Sequence, residues 1–206
     1  MNTINKISRY LSGHRIQLAV VLCLFGLCVA QSHKAAKGRH RPKTDERVYL
    51  KHADMLRFNQ YGEHAGAQIL NGNVAFLHKG ALLTCDSAYF YQESNSFKAF
   101  GHVKMRQGDT LSLTSDYAFY DGDNQMAEAR HNVLLRHRGT KLYTDSLNYD
   151  RLYNIGYFFE GGKMVDRNNV LVSDWGEYDT ETRKAVFNYN VNLRNPKFTL
   201  TSDTLH

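Results

Sequence analysis

The sequence predicts an all-β protein, an elongated slit-like roll built from stacked antiparallel strand pairs. Aspartates recur about every 29 residues, the segment before each aspartate alternates between apolar and polar side chains, and no stretch shows helical periodicity. Hydrophobic residues make up 42% and aromatic residues 12% of the 206 residues, which is enough to fill a core. The 3 cysteines are too few for a disulfide-stapled scaffold.

The N-terminus has the pattern of a secretory signal. Residues 1–15 contain Lys6, Arg9 and Arg15 and no acidic residue, and the apolar run that follows ends at Ala30. We therefore predict a signal peptide over residues 1–30, cleaved after Ala30. The alternative is a retained membrane anchor, although this apolar run is shorter than the roughly 20 residues that span a bilayer.

Positive charge is concentrated before the predicted domain. Residues 31–47 hold six Lys or Arg against two acids and lack apolar periodicity, which predicts a disordered basic linker. Residues 48–206 hold 17 basic and 18 acidic residues, so the formal charge of +6 belongs to the leader and the linker. From this net charge, neither a phosphate-binding surface on the fold nor a nucleic-acid partner is predicted.

The repeat is defined by its aspartates. The last five are spaced by 30, 29, 29 and 29 residues, with a leucine three positions before each and a small residue directly before it. An aromatic residue follows four positions later in most copies. The aspartates predicted to have a structural role are Asp54, Asp86, Asp116, Asp145, Asp174 and Asp203.

Two other roles are conceivable for these aspartates. Stacked acids can bind Ca²⁺ or form a catalytic pair. However, catalysis needs one distinct site rather than six equivalent copies. An aspartate beside Ser or Thr at a strand corner more often accepts hydrogen bonds from nearby backbone N–H groups.

The alternating segments predict half-buried strands of about 8–10 residues, joined by tight turns. The segment from Phe158 to Asp166 is the poorest match, because Glu160 and Asp166 fall on its apolar face. The residues predicted to line the interior are Leu70, Val74, Phe76, Phe97, Ala99, Val103, Met105, Ala127, Ala129, Val133, Leu135, Phe158, Met164, Phe187, Val191 and Leu193.

Stacking of the repeats would leave an unpaired strand edge at each end of the roll. Such edges invite head-to-tail self-assembly or the addition of another β-roll, and the alternative is a monomer capped by charged edges. The last repeat stops within a strand at His206. Either the chain ends on an open edge, or the domain of residues 48–206 is the front part of a longer protein.

Two stretches of the chain resemble the OstA-like repeats. One begins at Gly72-Asn73-Val74 and the other at Gly101-His102-Val103, and each continues through the next repeat aspartate to the aromatic residue four positions after it. These repeats occur in periplasmic lipopolysaccharide-transport proteins of the LptA type and in the N-terminal domain of LptD. The resemblance covers about residues 48–206. It implies an open β-jellyroll whose apolar groove binds lipopolysaccharide, a periplasmic location with membrane association through partners, and other jellyroll proteins as those partners.

Three function classes follow. The first is a non-enzymatic lipopolysaccharide-transport module, in which the interior residues hold lipid A acyl chains rather than forming a dry core. The second is a structural or adhesive β-repeat protein that binds proteins or glycans. The third, an enzyme, is weak, since no nucleophile motif is present and the 10 histidines have no metal-ligand spacing. No cofactor, metal or catalytic residue is predicted.

Overall fold

The computed structural model describes residues 47–206 except 123, 125, 151, 154, 180, 181 and 183. The predicted signal peptide and nearly all of the predicted linker lie outside these residues. All regular secondary structure in the described part of the chain is β-strand, which confirms the all-β prediction. Within this part no helix is long and apolar enough to cross a membrane.

The strands form one 14-stranded antiparallel sheet in which most neighbours in sequence are also neighbours in space. In chain order they are β1 (Tyr49–His52), β2 (Met55–Phe58), β3 (Gln68–His78), β4 (Ala81–Tyr91), β5 (Ser96–Gln107), β6 (Leu111–Asp121), β7 (Met126–His137), β8 (Thr140–Asp150), β9 (Ile155–Phe158), β10 (Gly162–Asp166), β11 (Asn169–Ser173), β12 (Trp175–Asp179), β13 (Lys184–Asn195) and β14 (Phe198–Leu205).

The sheet folds back on itself along a line of irregularities that crosses the long strands. The pairing register shifts at the same level in each long-strand pair, for example between Phe100 and Val103 where β5 meets β6. On one side of this line lie residues 68–71, 87–91, 96–100, 117–121, 126–130 and 146–150 with β2, β9, β12 and the start of β13, here called layer 1. On the other side lie residues 74–78, 81–85, 103–107, 111–115, 133–137 and 140–144 with β1, β10, β11 and the end of β13, here called layer 2.

Four of the long strands have two successive residues with positive φ at the corner between the layers. In β5 these are Gly101 (φ 72°) and His102 (φ 44°), and β3, β7 and β13 have equivalent pairs. Two successive residues in the left-handed backbone conformation bend the strand sharply, as a β-bulge does. Strands of 11 or 12 residues, bent in the middle, therefore replace the straight strands of 8–10 residues expected from the alternation.

The fourth repeat differs because its strands are broken at the corner. Strands β9 and β10 take the place of one long strand, and β11 and β12 take the place of the next. Glu160 lies in the break and is exposed, so its expected position on the apolar face was wrong. Asp166 is half-buried, and its carboxylate accepts a hydrogen bond from Thr140 Oγ1 at 3.0 Å.

The two layers enclose one continuous apolar core and leave two strand edges. At one end β1 and β2 pair only with β3, and at the other end β14 pairs only with β13 among the described residues. The corners close one long side of the roll. The opposite side is a seam, defined by the turns after β4, β6, β8 and β12 in layer 1 and the turns after β3, β5, β7, β10 and β13 in layer 2.

Candidate functional site

The interior between the layers is the candidate site. All sixteen residues predicted to line it belong to the core, fourteen of them buried, with Ala127 and Leu193 partly buried against the rest. They lie together because period-2 alternation assigns alternate side chains to one sheet face. Whether they bind a ligand remains a prediction.

A second set of interior residues was not included in the predicted lining. These residues are the leucines before Asp86, Asp116, Asp145 and Asp174 and the aromatics after them, and all are buried: Leu83, Leu113, Leu142, Leu171, Phe90, Tyr120, Tyr149 and Tyr178. The repeat itself contained the signal, since a leucine and an aromatic residue recur at fixed positions relative to each of these aspartates.

Aromatic side chains near the seam hold the two layers together in the N-terminal repeats. The ring of Phe76 in layer 2 stacks on Phe97 in layer 1, with centroids 4.7 Å apart, and lies 5.4 Å from the ring of Phe90. Tyr120 of layer 1 contacts Phe97 at 5.9 Å and His78 of layer 2 at 5.5 Å. We call Phe76, Phe90, Phe97 and Tyr120 the seam cluster.

No strand pairing joins the two rows of turns among the described residues. One hydrogen bond between the rows runs from the Val48 backbone N–H to Asn95 Oδ1, at 2.8 Å. The layers are thus continuous through backbone at the corners, and at the seam they are not joined by strand pairing in the described part of the chain.

The interior is filled with side chains. A cavity of 20 Å³ lies in the C-terminal half, which leaves space for about one water molecule. Its walls come from both layers and include Leu142, Met164, Phe158, Gly176 and Phe187. Binding of an acyl chain therefore requires the layers to separate.

The corner aspartates bond to neighbouring corners. Four of them contact the residue after the corner glycine or its equivalent, through the pairs Asp54–Asn73 (2.8 Å), Asp86–His102 (2.7 Å), Asp116–Asn132 (2.6 Å) and Asp174–Asn190 (2.7 Å). Asp145 accepts the backbone N–H of Asn132 at 2.9 Å. Asp203 lies exposed on β14.

The glycine at the corner of β5 leaves room for Asp86. A Cβ at Gly101 would lie 2.4 Å from Asp86 Oδ2, and its φ of +72° is unfavourable for other residues. The corners of β7 and β13 have His131 and Tyr189 at this position, and Asp116 and Asp174 still make the equivalent contacts.

The repeat pattern is shared with a known family. A family profile described as "OstA-like protein" matches residues 45–203. The chain belongs to this family. The resemblance noted from the repeat motifs is thereby confirmed, and the match spans all the described strands except the end of β14.

One solved structure similar to the OstA-like chain is the crystal structure of LptH from Pseudomonas aeruginosa, described as the LptA homologous periplasmic component of its lipopolysaccharide transport device. The two are 15% identical, the TM-score is 0.49, and the match covers 55% of this chain and 93% of that one. No curated protein matches the chain.

The OstA-like chain has no group of three or more His, Cys, Asp or Glu residues arranged to hold a metal ion within its described residues. Cys85 is buried at a corner, where its Sγ donates to the Ser87 carbonyl at 3.3 Å, and burial raises the pKa of its thiol to about 12. A thiol with so high a pKa is a poor nucleophile at neutral pH.

One corner of the OstA-like chain is expected to respond to pH. The hydrogen bond that the His102 ring donates to the Asp86 carboxylate, together with the carboxylate's charge, raises the pKa of His102 above the ordinary imidazole value. Because the folded-state pKa is raised, the pair stabilises the fold fully below the ordinary imidazole pKa of about 6.5, and that contribution is lost as pH rises through the folded-state value. We expect an NMR titration to show the raised pKa of His102.

The matched variants are Asp86→Asn and His102→Asn. Asp86→Asn should return the His102 pKa to the ordinary range. His102→Asn should remove this pH dependence of stability while keeping the corner, since Asn occupies the equivalent positions 73, 132 and 190. An unchanged His102 titration in Asp86→Asn would show that the contact is not formed in solution.

Proposed function

We propose that the protein is a non-enzymatic periplasmic module that binds the acyl chains of lipopolysaccharide between its two layers and helps to move it to the outer membrane. Membership of the OstA-like family supports this proposal. So does the interior, which is apolar on the facing sides of both layers along the whole roll. Each methylene group that leaves water for such an interior contributes about 0.8 kcal/mol.

The observation that carries the proposal is the difference between the two long sides of the roll. The corner side is continuous backbone, whereas the seam has no strand pairing between its rows of turns in the described part of the chain. The layers can therefore separate at the seam without breaking the hydrogen-bonded ladders within each layer. Lipid contacts would replace the contacts that the seam cluster makes in the closed state.

The edges of the sheet support transfer from one roll to another. Strand β2 exposes Met55, Leu56 and Phe58 at one end, and β14 is an open edge at the other. Unpaired strands accept further strands readily. End-to-end pairing, with a second copy or with another jellyroll protein, would join the interiors into one apolar path.

A photo-crosslinking experiment in cells tests the proposal. The crosslinking residue replaces Val103 or Val133, which face the interior of layer 2, or Phe97 or Phe187, which face it from layer 1. The matched controls are Lys98 and Asn188, the outward positions of layer 1 adjacent to Phe97 and Phe187. We expect adducts with lipopolysaccharide at the four interior positions and none at the two controls.

The alternative, a structural or adhesive repeat protein, predicts a different result. Adducts only with proteins, or equal lipopolysaccharide adducts at interior and control positions, would contradict a lipid-binding interior.

A further inference from the structure

The outward side of layer 2 carries a concentration of positive charge, here called the basic face. The cations at its outward strand positions are Lys104, Arg106, Arg136, Lys141, Lys163 and Arg194, and all but the half-buried Lys141 are exposed. No acidic residue occupies an outward strand position of layer 2 among the described residues.

Layer 1 has no such excess of cations. The acids at its outward positions are Asp121, Glu128, Asp150, Glu177 and Asp179, against the cations Arg57, Lys98, Arg130 and Lys184. Arg130 is already paired with Glu128 at 3.0 Å. The near-neutral net charge of residues 48–206 thus conceals a separation of charge between two surfaces. The sequence-based argument against a phosphate-binding surface used only the net charge and missed this separation.

The cations of the basic face lie close together without partners of opposite charge. Arg136 of β7 is directly opposite Lys141 of β8, and Ser112 of β6 separates Arg136 from Arg106. Like charges directly opposite each other destabilise a sheet. No ion pair within the described residues involves any of the six cations. The strands that carry them, β5 to β13, extend about 29 Å across layer 2.

Apolar side chains are exposed between these cations. Leu82, Tyr143 and Val172 project from the same face and are 42%, 41% and 42% exposed. A surface that combines Lys and Arg with aliphatic and aromatic side chains, and lacks acids, has the composition of segments that lie in a membrane interface.

We propose that the basic face docks onto the surface of an anionic phospholipid bilayer. An extended sheet face with two rows of cations matches a plane of phosphates, its exposed apolar side chains match the interfacial region, and layer 1, whose outward charges nearly balance, faces away from the membrane. This inference goes beyond the proposed function, since it concerns the outside of the roll and does not require a lipid between the layers.

Co-sedimentation of the full-length protein with vesicles tests the proposal. The vesicles are phosphatidylcholine with one third phosphatidylglycerol, and pure phosphatidylcholine serves as the comparison. The test variant is Arg136→Gln/Lys141→Gln/Lys163→Gln. The control, Arg57→Gln/Lys98→Gln/Lys184→Gln, removes the same charge from layer 1. Circular dichroism checks that both variants are folded.

Each cation near an anionic membrane contributes about 1 kcal/mol, so loss of three should weaken binding to the anionic vesicles about 100-fold. The control variant should bind like the wild type, and added salt should release both. If the two variants weaken vesicle binding equally, the proposal is overturned. The binding would then not depend on which layer loses its cations, and the predicted leader and linker, which are the same in both variants, could account for it. Release by glycerol phosphate at constant ionic strength would also overturn it, because that result indicates a discrete phosphate site.

The orientation on the membrane has its own readout. Trp175, the single tryptophan, begins β12 on the outward side of layer 1. Brominated phosphatidylglycerol should quench the added fluorescence of a Tyr143→Trp variant and leave the fluorescence of Trp175 in the wild type unchanged. Quenching of Trp175 without quenching at position 143 would mean that layer 1 faces the membrane.

Discussion

Phe76→Ala is expected to lower the free energy of unfolding by about 3–5 kcal/mol, the usual cost of removing a large buried aromatic side chain. Phe76 is only 1% exposed, and its ring contacts Phe90 and Phe97 of the opposite layer. The substitution removes apolar burial and aromatic stacking at the point where the layers meet. Urea denaturation followed by circular dichroism measures the change.

Leu82→Ala is the matched control for this prediction. Leu82 lies on the neighbouring strand of layer 2 but faces outward and is 42% exposed. Its truncation should cost less than about 1 kcal/mol. Similar losses for Phe76→Ala and Leu82→Ala would mean that the seam cluster does not hold the layers together.

Gly176→Ala is the second substitution with a large expected effect. A Cβ at Gly176 would lie 2.4 Å from Phe158 Cε1 and 3.0 Å from Phe187 Cδ1. The Phe158 ring cannot move freely away, because Gly162 already lies against its other edge. Overpacking of this kind costs about 1–3 kcal/mol. The loss should appear as a lower urea midpoint with an unchanged slope.

Two further variants test the cause. Phe158→Leu should recover part of the stability lost in Gly176→Ala, since it removes the ring that the new methyl group meets. Gly139→Ala should be close to neutral, because nothing lies within 4 Å of its added Cβ. No recovery in the double variant would indicate that the loss at Gly176 does not come from contact with Phe158.

Side-chain alternation was sufficient to predict which residues face the interior. It could not predict the corners of β3, β5, β7 and β13, because the two left-handed residues there preserve the alternation on either side. Phe97 and Ala99 before the corner of β5 have the same parity as Val103 and Met105 after it. His131 and Tyr189 share the parity of the interior residues, but they lie at corners and are exposed.

Two other properties depend on three-dimensional packing. Whether the interior is a groove or a filled core is decided by how closely the seam cluster brings the layers together, and a single strand contains no information on that distance. The charge separation has the same origin, since Lys104 and Lys98 of one strand lie on different layers only because β5 bends between them.

A closed interior and lipid binding are compatible if the seam opens. The cost of opening includes the loss of contacts such as the stacking of Phe76 on Phe97. That cost is offset by burial of acyl chains on the same side chains. The closed state thereby keeps apolar surface away from water when no lipid is bound.

The distance between the two rows of turns, measured with and without lipid A, tests this account most directly. Spin labels at Glu93→Cys in a layer 1 turn and Asp109→Cys in a layer 2 turn report the width of the seam by pulsed electron paramagnetic resonance. Cys23 and Cys28 are changed to Ser, and the buried Cys85 stays because its thiol resists labelling. The control pair, Asp109→Cys and Asn168→Cys, lies within the layer 2 row. Lipid A should lengthen the distance across the seam and leave the control distance unchanged, and lipid A binding without any change across the seam would contradict the account.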